Sequence, residues 1–197
     1  MARARLIVGI GGSTSAESVT NALLRACLQK VQERGARTEL IDGPQLNELP
    51  LYEVEAPASP AAALPLLDAV RRADCVVLAT PGYHGGMSGL LKNALDHLEA
   101  LRDDPRPYLD GRAVGVIVAA AGWQSAGTAL VSVRSAIHAL RGWPTPFGLT
   151  VNSAEQRPDV AGNFDARVDG GLTILAGQLL EFAQWRALAK QGDRVSG

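Results

Sequence analysis

The sequence predicts one doubly wound α/β domain: a five-stranded parallel sheet in the order 2-1-3-4-5, with helices on both faces. Two observations carry that expectation. Apolar runs alternate with stretches of helical period along the whole chain, the pattern of a parallel sheet covered on both sides. The runs themselves, such as Leu6-Ile7-Val8-Gly9-Ile10 and Cys75-Val76-Val77-Leu78-Ala79-Thr80, lack the polar alternation of a half-exposed strand. Right-handed crossovers then favour the stated strand order.

Each element follows in turn. Leu6 to Ile10 gives the first strand. Residues 17 to 34 place Val19, Leu23, Leu24, Cys27, Leu28 and Val31 at helical spacing, with Gly35 as the stop. Thr38 to Ile41 reads as the second strand. The Pro-rich stretch from Gly43 to Pro60 fits neither period and is expected as a loop with room for a helical turn. A helix over Ala61 to Ala73 leads into the third strand, Cys75 to Thr80. Then come a helix over Ser88 to Leu101, a fourth strand over Ala113 to Ala121 and a helix over Ala126 to Leu140. Phe147 to Asn152 supplies the fifth strand, and Asp165 to Lys190 the closing helix. No repeat, low-complexity tract or domain boundary is visible. Residues 1–190 are therefore expected to form one domain, with 191–197 as a C-terminal tail.

Composition limits what such a domain does. A chain of 197 residues buries enough surface to fold without a disulfide or metal staple. Charged residues make up 20% and the formal net charge is −1, which suits neither a nucleic-acid-binding surface nor a disordered chain. Cys27 and Cys75 stand far apart in apolar segments with no CxxC, and read as buried small hydrophobes rather than a redox pair. The first residues lead straight into a strand, and no run approaches the ~18 apolar residues of a membrane span. A cytoplasmic protein without membrane or nucleic-acid partners is expected.

In a doubly wound sheet the ligand crevice lies beyond the carboxyl ends of the strands where their order reverses, here between strands one and three. The loops at 11–18, 81–87 and 120–125 therefore matter most. In the first, Gly11 and Gly12 let a ligand approach the backbone, and Ser13, Thr14, Ser15, Ser18 and Thr20 set hydroxyls around a helix start. Free amides and the helix dipole favour an anion there, and a phosphate suits that surface. The other reading is an ordinary N-cap at Ser13 or Ser15 with the remaining polarity solvated. GxxxxGK[ST] is excluded because no lysine follows, and Gly9-Ile10-Gly11 lacks the third glycine of GxGxxG, Thr14 standing in its place.

The second loop, TPGYHGGMSGLLKNALD at 80 to 96, fixes one φ at Pro81 and leaves the backbone bare at Gly82, Gly85 and Gly86. Peptide groups there can meet a flat heterocycle edge-on. Tyr83 is either an aromatic wall or a half-buried packing residue, and His84 alone reads as an exposed loop histidine. Lys92 and Asp96 have the i, i+4 spacing of a routine surface pair.

The combination of Gly12, Ser13 and Ser18 after strand one with T-P-x-Y-x-G and S-G-x-L-K-N-x-x-D after strand three resembles the NAD(P)H-dependent FMN reductase family of flavodoxin-like proteins, over about residues 4 to 188. The family's first loop reads G-S-x-R-x-x-S-x-N. This chain has Ser15 in place of the arginine and Thr20 in place of the asparagine. A serine offers phosphate one neutral hydrogen bond where a guanidinium offers a charged fork, so weaker FMN binding, or another cation, is expected. Where the family often has P-E-Y-N, this chain has Gly82 and His84 around the tyrosine.

The resemblance implies FMN on Ser13, Ser15, Ser18 and Thr20 through its phosphate, and on the Pro81, Gly82, Tyr83, His84 and Gly85 backbone through its ring. It also places Ala121 and Gly122 beside the ring. Trp123 is then a wall or lid, or else a surface tryptophan packed on its own protein. The implied reaction is hydride transfer from NAD(P)H to FMN, with reduced flavin passed to a partner such as a monooxygenase or used on quinones or azo compounds. No GxSxG, HExxH or Ser/His/Asp set suggests hydrolysis, and hydride transfer needs no protein nucleophile. The alternatives are a flavodoxin-type electron carrier and a flavin-binding domain without turnover. A homodimer or homotetramer is implied as well, pairing through the helix that carries Leu90, Leu91, Ala94, Leu95 and Leu98, although that stripe fits internal core equally.

Overall fold

The computed structural model describes residues 4–55 and 59–195. Its elements, in chain order, are β1 (Leu6–Gly11), α1 (Val19–Gln32), β2 (Arg37–Ile41), α2 (Gly43–Asn47), α3 (Leu64–Arg72), β3 (Cys75–Pro81), α4 (Gly89–Asp96), β4 (Ala113–Ala120), α5 (Trp123–Ala139), β5 (Trp143–Pro144), β6 (Leu149–Asn152) and α6 (Ala166–Val195). The sheet runs β2-β1-β3-β4-β5, with β6 also on β4, and every pairing is parallel. The doubly wound order read from the sequence is the one found.

Period-two geometry sorts the strand residues into two cores. Leu6, Val8, Ile10, Val76, Leu78, Val114, Val116 and Val118 join the layer that contains α3, α4 and α5. Ile7, Cys75, Val77, Ala79, Ile117 and Ala119 face α1 and α6 on the other side. β1, β3 and β4 are buried at every position, which is why their sequences read as unbroken apolar runs. Both cysteines are free and buried, as their apolar settings suggested.

Several boundaries differ from the sequence reading, each for a local reason. The expected fifth strand over Phe147 to Asn152 is found as Leu149–Asn152, and a short strand the sequence reading did not include, Trp143–Pro144, precedes it. Trp143 and Pro144 pair with Ala113 and Val114, and Leu149 to Asn152 pair with Ile117 to Ala120. Pro144 and Pro146 cannot donate to a ladder, so this edge breaks between them and resumes beyond Gly148. The stretch after β2 contains the short helix α2, started by a capping box in which Asp42 Oδ1 accepts from the Gln45 amide and Gln45 Oε1 accepts from the Asp42 amide. The helix expected over Ser88 to Leu101 is α up to Asp96 and tightens into a 3₁₀ turn over His97–Leu101. α5 begins at Trp123, three residues earlier than expected, because Gly122 takes extended backbone and acts as its N-cap. α6 continues past Lys190 to Val195.

The stripe on α4 is largely internal. Leu91, Ala94, Leu95 and Leu98 are buried in the core and Leu90 packs partly against it. None of the described helices is long and apolar enough to cross a membrane.

Candidate functional site

The loops that follow β1, β3 and β4 meet at one rim of the sheet and are stitched together there. Gly12 N donates to the Ala79 carbonyl at 2.7 Å, and Gly82 N donates to the Ala119 carbonyl at 2.8 Å. Ser88, the N-cap of α4, accepts from Leu91 N at 3.1 Å and donates from Oγ to the Gly12 carbonyl at 2.7 Å. Its own amide donates to Thr80 Oγ1 at 2.9 Å. Ser125 Oγ in turn donates to the Gly82 carbonyl at 3.4 Å. Two of the motif hydroxyls, those of Thr80 and Ser88, thus act as scaffold: they tie the second loop to the first, while Ser125 and the Gly82 amide tie it to the third.

The first loop has its carbonyls drawn back toward α1. Asn21 Nδ2 donates to the Ser15 carbonyl at 2.8 Å and to the Ser13 carbonyl at 3.2 Å. Arg25 Nη2 donates to the Ala16 carbonyl at 2.7 Å. The amides of Ser13, Thr14, Ser15, Ala16 and Glu17 find no acceptor among the described residues. Val19 and Thr20 add the free amides of a helix start. A run of unpaired amides at a helix N-terminus is a nest for an anion.

The N-cap of α1 is Ser18, not Ser13 or Ser15. Its Oγ accepts from Asn21 N at 3.2 Å, and its hydroxyl proton remains available. Ser13 is only 8% exposed, yet its hydroxyl has no partner among the described residues. Ser15 is exposed, and Thr20 is buried in the first turn of α1. The sequence reading did not single out Asn21 or Arg25. Their role is to hold the backbone of a loop several residues earlier, which no spacing rule reports.

The second loop makes a two-residue hairpin turn. Tyr83 N donates to Gly86 O at 3.0 Å and Gly86 N to Tyr83 O at 2.9 Å. His84 and Gly85 between them sit at φ +50° and +82°, the two positive values of a type I′ turn. His84 is therefore a turn residue, its backbone shaping the loop. Tyr83 stands 59% exposed at the tip, so it is not a packing residue. A Cβ at Gly82 would lie 3.0 Å from Ala120 Cβ and 3.3 Å from Ser125 Oγ, so the peptide edge here runs flush against the third loop.

In the third loop Ala121 is exposed and Gly122 half-buried, and Trp123 opens α5 with 40% of its surface exposed. The Arg167 guanidinium lies over the Trp123 ring, 5.2 Å from its centroid. Lys92 and Asp96 form the surface pair their spacing suggested, with Nζ 2.6 Å from Oδ1. Asn93 is turned away from the rim: it donates to the Pro50 carbonyl at 2.9 Å and accepts from Tyr52 N at 2.9 Å.

An FMN-sized ligand needs a dianion seat joined to a flat edge of peptide donors and acceptors. The residues present fit both halves, through the unpaired amides and the free Ser13 hydroxyl at one end and the exposed 82–85 backbone at the other. A cavity of about 450 Å³ lies elsewhere, between residues 50–54 and 59–60 on one side and the His97–Leu101 turn on the other, and includes none of the rim residues.

The family described as NADPH-dependent FMN reductase matches residues 6–156. An FMN-dependent NADPH-azoreductase of Staphylococcus aureus is 27% identical over 164 residues, covering 78% of this chain and 80% of its own. The flavoenzyme NAD(P)H:(acceptor) oxidoreductase of Paracoccus denitrificans superposes with a TM-score of 0.71 at 22% identity, over 93% of this chain and 97% of that one. The apo form of an NADH:FMN oxidoreductase superposes with a TM-score of 0.68 at 22% identity, over 91% and 89%. At such identities the structural likenesses speak for the fold.

Proposed function

The chain belongs to the NADPH-dependent FMN reductase family, and on that footing we propose that its three rim loops form a single FMN site in which the flavin phosphate sits on residues 13–20 and the ring along 81–85 and 121–123. Membership makes it an NAD(P)H-dependent flavin oxidoreductase. FMN supplies a hydride-accepting ring, and the balanced reaction is NAD(P)H + H⁺ + FMN → NAD(P)⁺ + FMNH₂.

The protein's part is binding, orientation and exclusion of water. Amides 13 to 17 and the hydroxyls of Ser13, Ser15, Ser18 and Thr20 take the phosphate oxygens. Arg25, tied to the Ala16 carbonyl at 2.7 Å, supplies the positive charge that Ser15 lacks. The His84 and Gly85 peptide groups, whose amides have no acceptor among the described residues, offer donors and acceptors to the ring edge, while Tyr83 and Trp123 flank the opening. No side chain needs to act as nucleophile or base. The observation that carries this reading is the set of unpaired amides held outward by Asn21 and Arg25. Titration of the purified protein with FMN, followed by NADPH and NADH oxidation at 340 nm, tests it. Tight FMN binding without nucleotide oxidation would select a flavodoxin-type carrier, and absence of FMN binding would overturn the site.

Azo compounds and quinones are proposed second acceptors, the first in line with the name of the staphylococcal relative. The neutral Ser15 also favours release of reduced flavin to a partner such as a monooxygenase. A single catalytic domain over residues 1–190, working in the cytoplasm as a homodimer or homotetramer, completes the proposal. Leu51 and Val54, 80% and 84% exposed beside the α4 layer, support self-association. Sedimentation at micromolar concentration tests that part.

A further inference from the structure

The rim carries a second cationic feature that the FMN phosphate seat does not use. Arg167, in the first turn of α6, has its guanidinium carbon over the Trp123 ring, 5.2 Å from the ring centroid. It is exposed, and among the described residues it makes no ion pair and donates no side-chain hydrogen bond. The two nearby carboxylates in sequence, Asp165 and Asp169, have other partners, Asp169 in an ion pair with Lys30 at 2.6 Å, while Asp165 also feels the Arg167 charge. Asp165 Oδ1 accepts from the Val168 amide at 2.8 Å and Oδ2 accepts from Gln156 Nε2 at 3.2 Å. The Val168 amide, the largest cause, then the Gln156 bond and, more weakly, the Arg167 amide and charge hold the Asp165 carboxyl below its ordinary value.

Stacking engages the face of a guanidinium and leaves its N–H edge unused. An arginine packed on an aromatic ring is therefore oriented while its in-plane fork stays free for a phosphate. Position makes this a different site from the FMN phosphate seat. The seat lies past β1, whereas Trp123 follows β4 and Arg167 follows β6. The Arg167 guanidinium lies at Trp123, directly after β4, and in the order β1-β3-β4 the ends of β1 and β4 are two strand spacings apart, roughly 10 Å. One flavin phosphate cannot occupy both.

We propose that Arg167, oriented by Trp123, is the anion handle for the second ligand of this rim, binding a phosphate of the nicotinamide dinucleotide. The inference rests on the FMN site described above and adds to it the element that recognises the hydride donor. Two phosphates of that ligand offer the same chemistry: the pyrophosphate shared by NADH and NADPH, and the 2′-phosphate of NADPH alone.

The test uses the FMN-loaded protein and the variants Arg167→Gln and Arg167→Lys. Calorimetric titration with NADP⁺ and with NAD⁺ reads binding without turnover. Arg167→Gln is expected to weaken NADP⁺ at least tenfold, and Arg167→Lys to recover part of that loss. Equal weakening of NAD⁺ identifies the pyrophosphate as the bound group, and weakening confined to NADP⁺ identifies the 2′-phosphate. Reduced nicotinamide riboside, a hydride donor with no phosphate, is expected to be oxidised equally by wild type and Arg167→Gln. Unchanged affinity for both nucleotides overturns the proposal. So does equal loss with the riboside, which would make Arg167 a support of the loop rather than a phosphate ligand. Failure of the FMN site itself is seen separately, as wild-type protein that does not load with FMN.

Discussion

Asn21 Nδ2 lies 2.8 Å from the carbonyl oxygen of Ser15, so a side chain of helix α1 sets the direction in which the preceding loop presents its amides. The same nitrogen also holds the Ser13 carbonyl, and the residue is 97% removed from solvent, being 3% exposed. Without this clamp the carbonyls are free to turn into the anion seat. Asn21→Ala forfeits one buried and one partly buried hydrogen bond, about 1–3 kcal/mol. FMN affinity measured by flavin fluorescence is expected to fall about tenfold or more, with a modest drop in melting temperature. Full FMN affinity in the variant would show that the loop does not depend on the clamp.

Arg25 contributes charge where Asn21 contributes geometry. Its exposed guanidinium keeps N–H groups beyond the one on Ala16. A charge-assisted bond to phosphate contributes about 1.5–3 kcal/mol. Arg25→Gln is expected to weaken FMN about tenfold and to flatten the dependence of its binding on salt. Riboflavin, which has the same ring and no phosphate, is expected to bind wild type and variant alike. Equal weakening of both ligands would place Arg25 outside the phosphate seat.

These two residues also mark where the sequence stops being legible. The sheet and its order could be read because β1, β3 and β4 are buried on both faces, and that burial imposes an apolar run that shows without any partner in view. The three loops followed from topology, since strand order determines which loops share the rim. Asn21 and Arg25 bind backbone that precedes them, and no residue type or period records a carbonyl's direction. The break between β5 and β6 was written in Pro144 and Pro146, yet it needed the β4 partner to show which ladder positions lost a donor. His84 looked like an unassigned side chain because φ is not visible in a histidine.

Gly43 presents a dependence between distant segments. A Cβ at this position would overlap the Ser13 carbonyl oxygen and meet Thr14 N at 3.0 Å, both of them backbone atoms of the loop after β1. The helix start of α2 and the loop after β1 therefore pack without room for a methyl group. Gly43→Ala is expected to displace residues 13 and 14, lowering FMN affinity about tenfold or more while costing about 1–3 kcal/mol of stability. Amide exchange at residues 13 to 17 would rise in the FMN-loaded protein. An alanine variant with wild-type FMN affinity would mean that the loop shifts without cost.

The buried thiols set a limit in alkaline solution. Burial, the largest cause, pushes both Cys27 and Cys75 up to about 12. Below the ordinary thiol value near 8.5 both folded and unfolded chains keep their protons. From there to about 12 only the unfolded chain ionises, so unfolding releases protons and stability falls as pH rises. The urea midpoint of wild type is expected to drop between pH 8.5 and 11 more steeply than that of a Cys27→Ala, Cys75→Ala double variant. A disulfide-exchange reagent at pH 8 is expected to label neither thiol until urea is added. Rapid labelling of the native protein would contradict the burial.

His84 separates a backbone role from a chemical one. At φ +50°, next to Gly85 at +82°, it occupies the first central position of a turn that requires left-handed backbone. Asparagine and glycine adopt that conformation readily, whereas a β-branched residue is strained there by about 1–2 kcal/mol. His84→Asn and His84→Gly are thus expected to keep FMN affinity and the rate of NADPH oxidation within about twofold. His84→Val is expected to lose stability and to loosen FMN together, because the Gly82 to Gly85 edge moves with the turn. The pH profile of NADPH oxidation discriminates further. An imidazole acting as proton donor would make the pH profiles of wild type and His84→Asn differ in shape. Superimposable profiles are the expected result, since what the site takes from residue 84 is the path of the chain and not its ring.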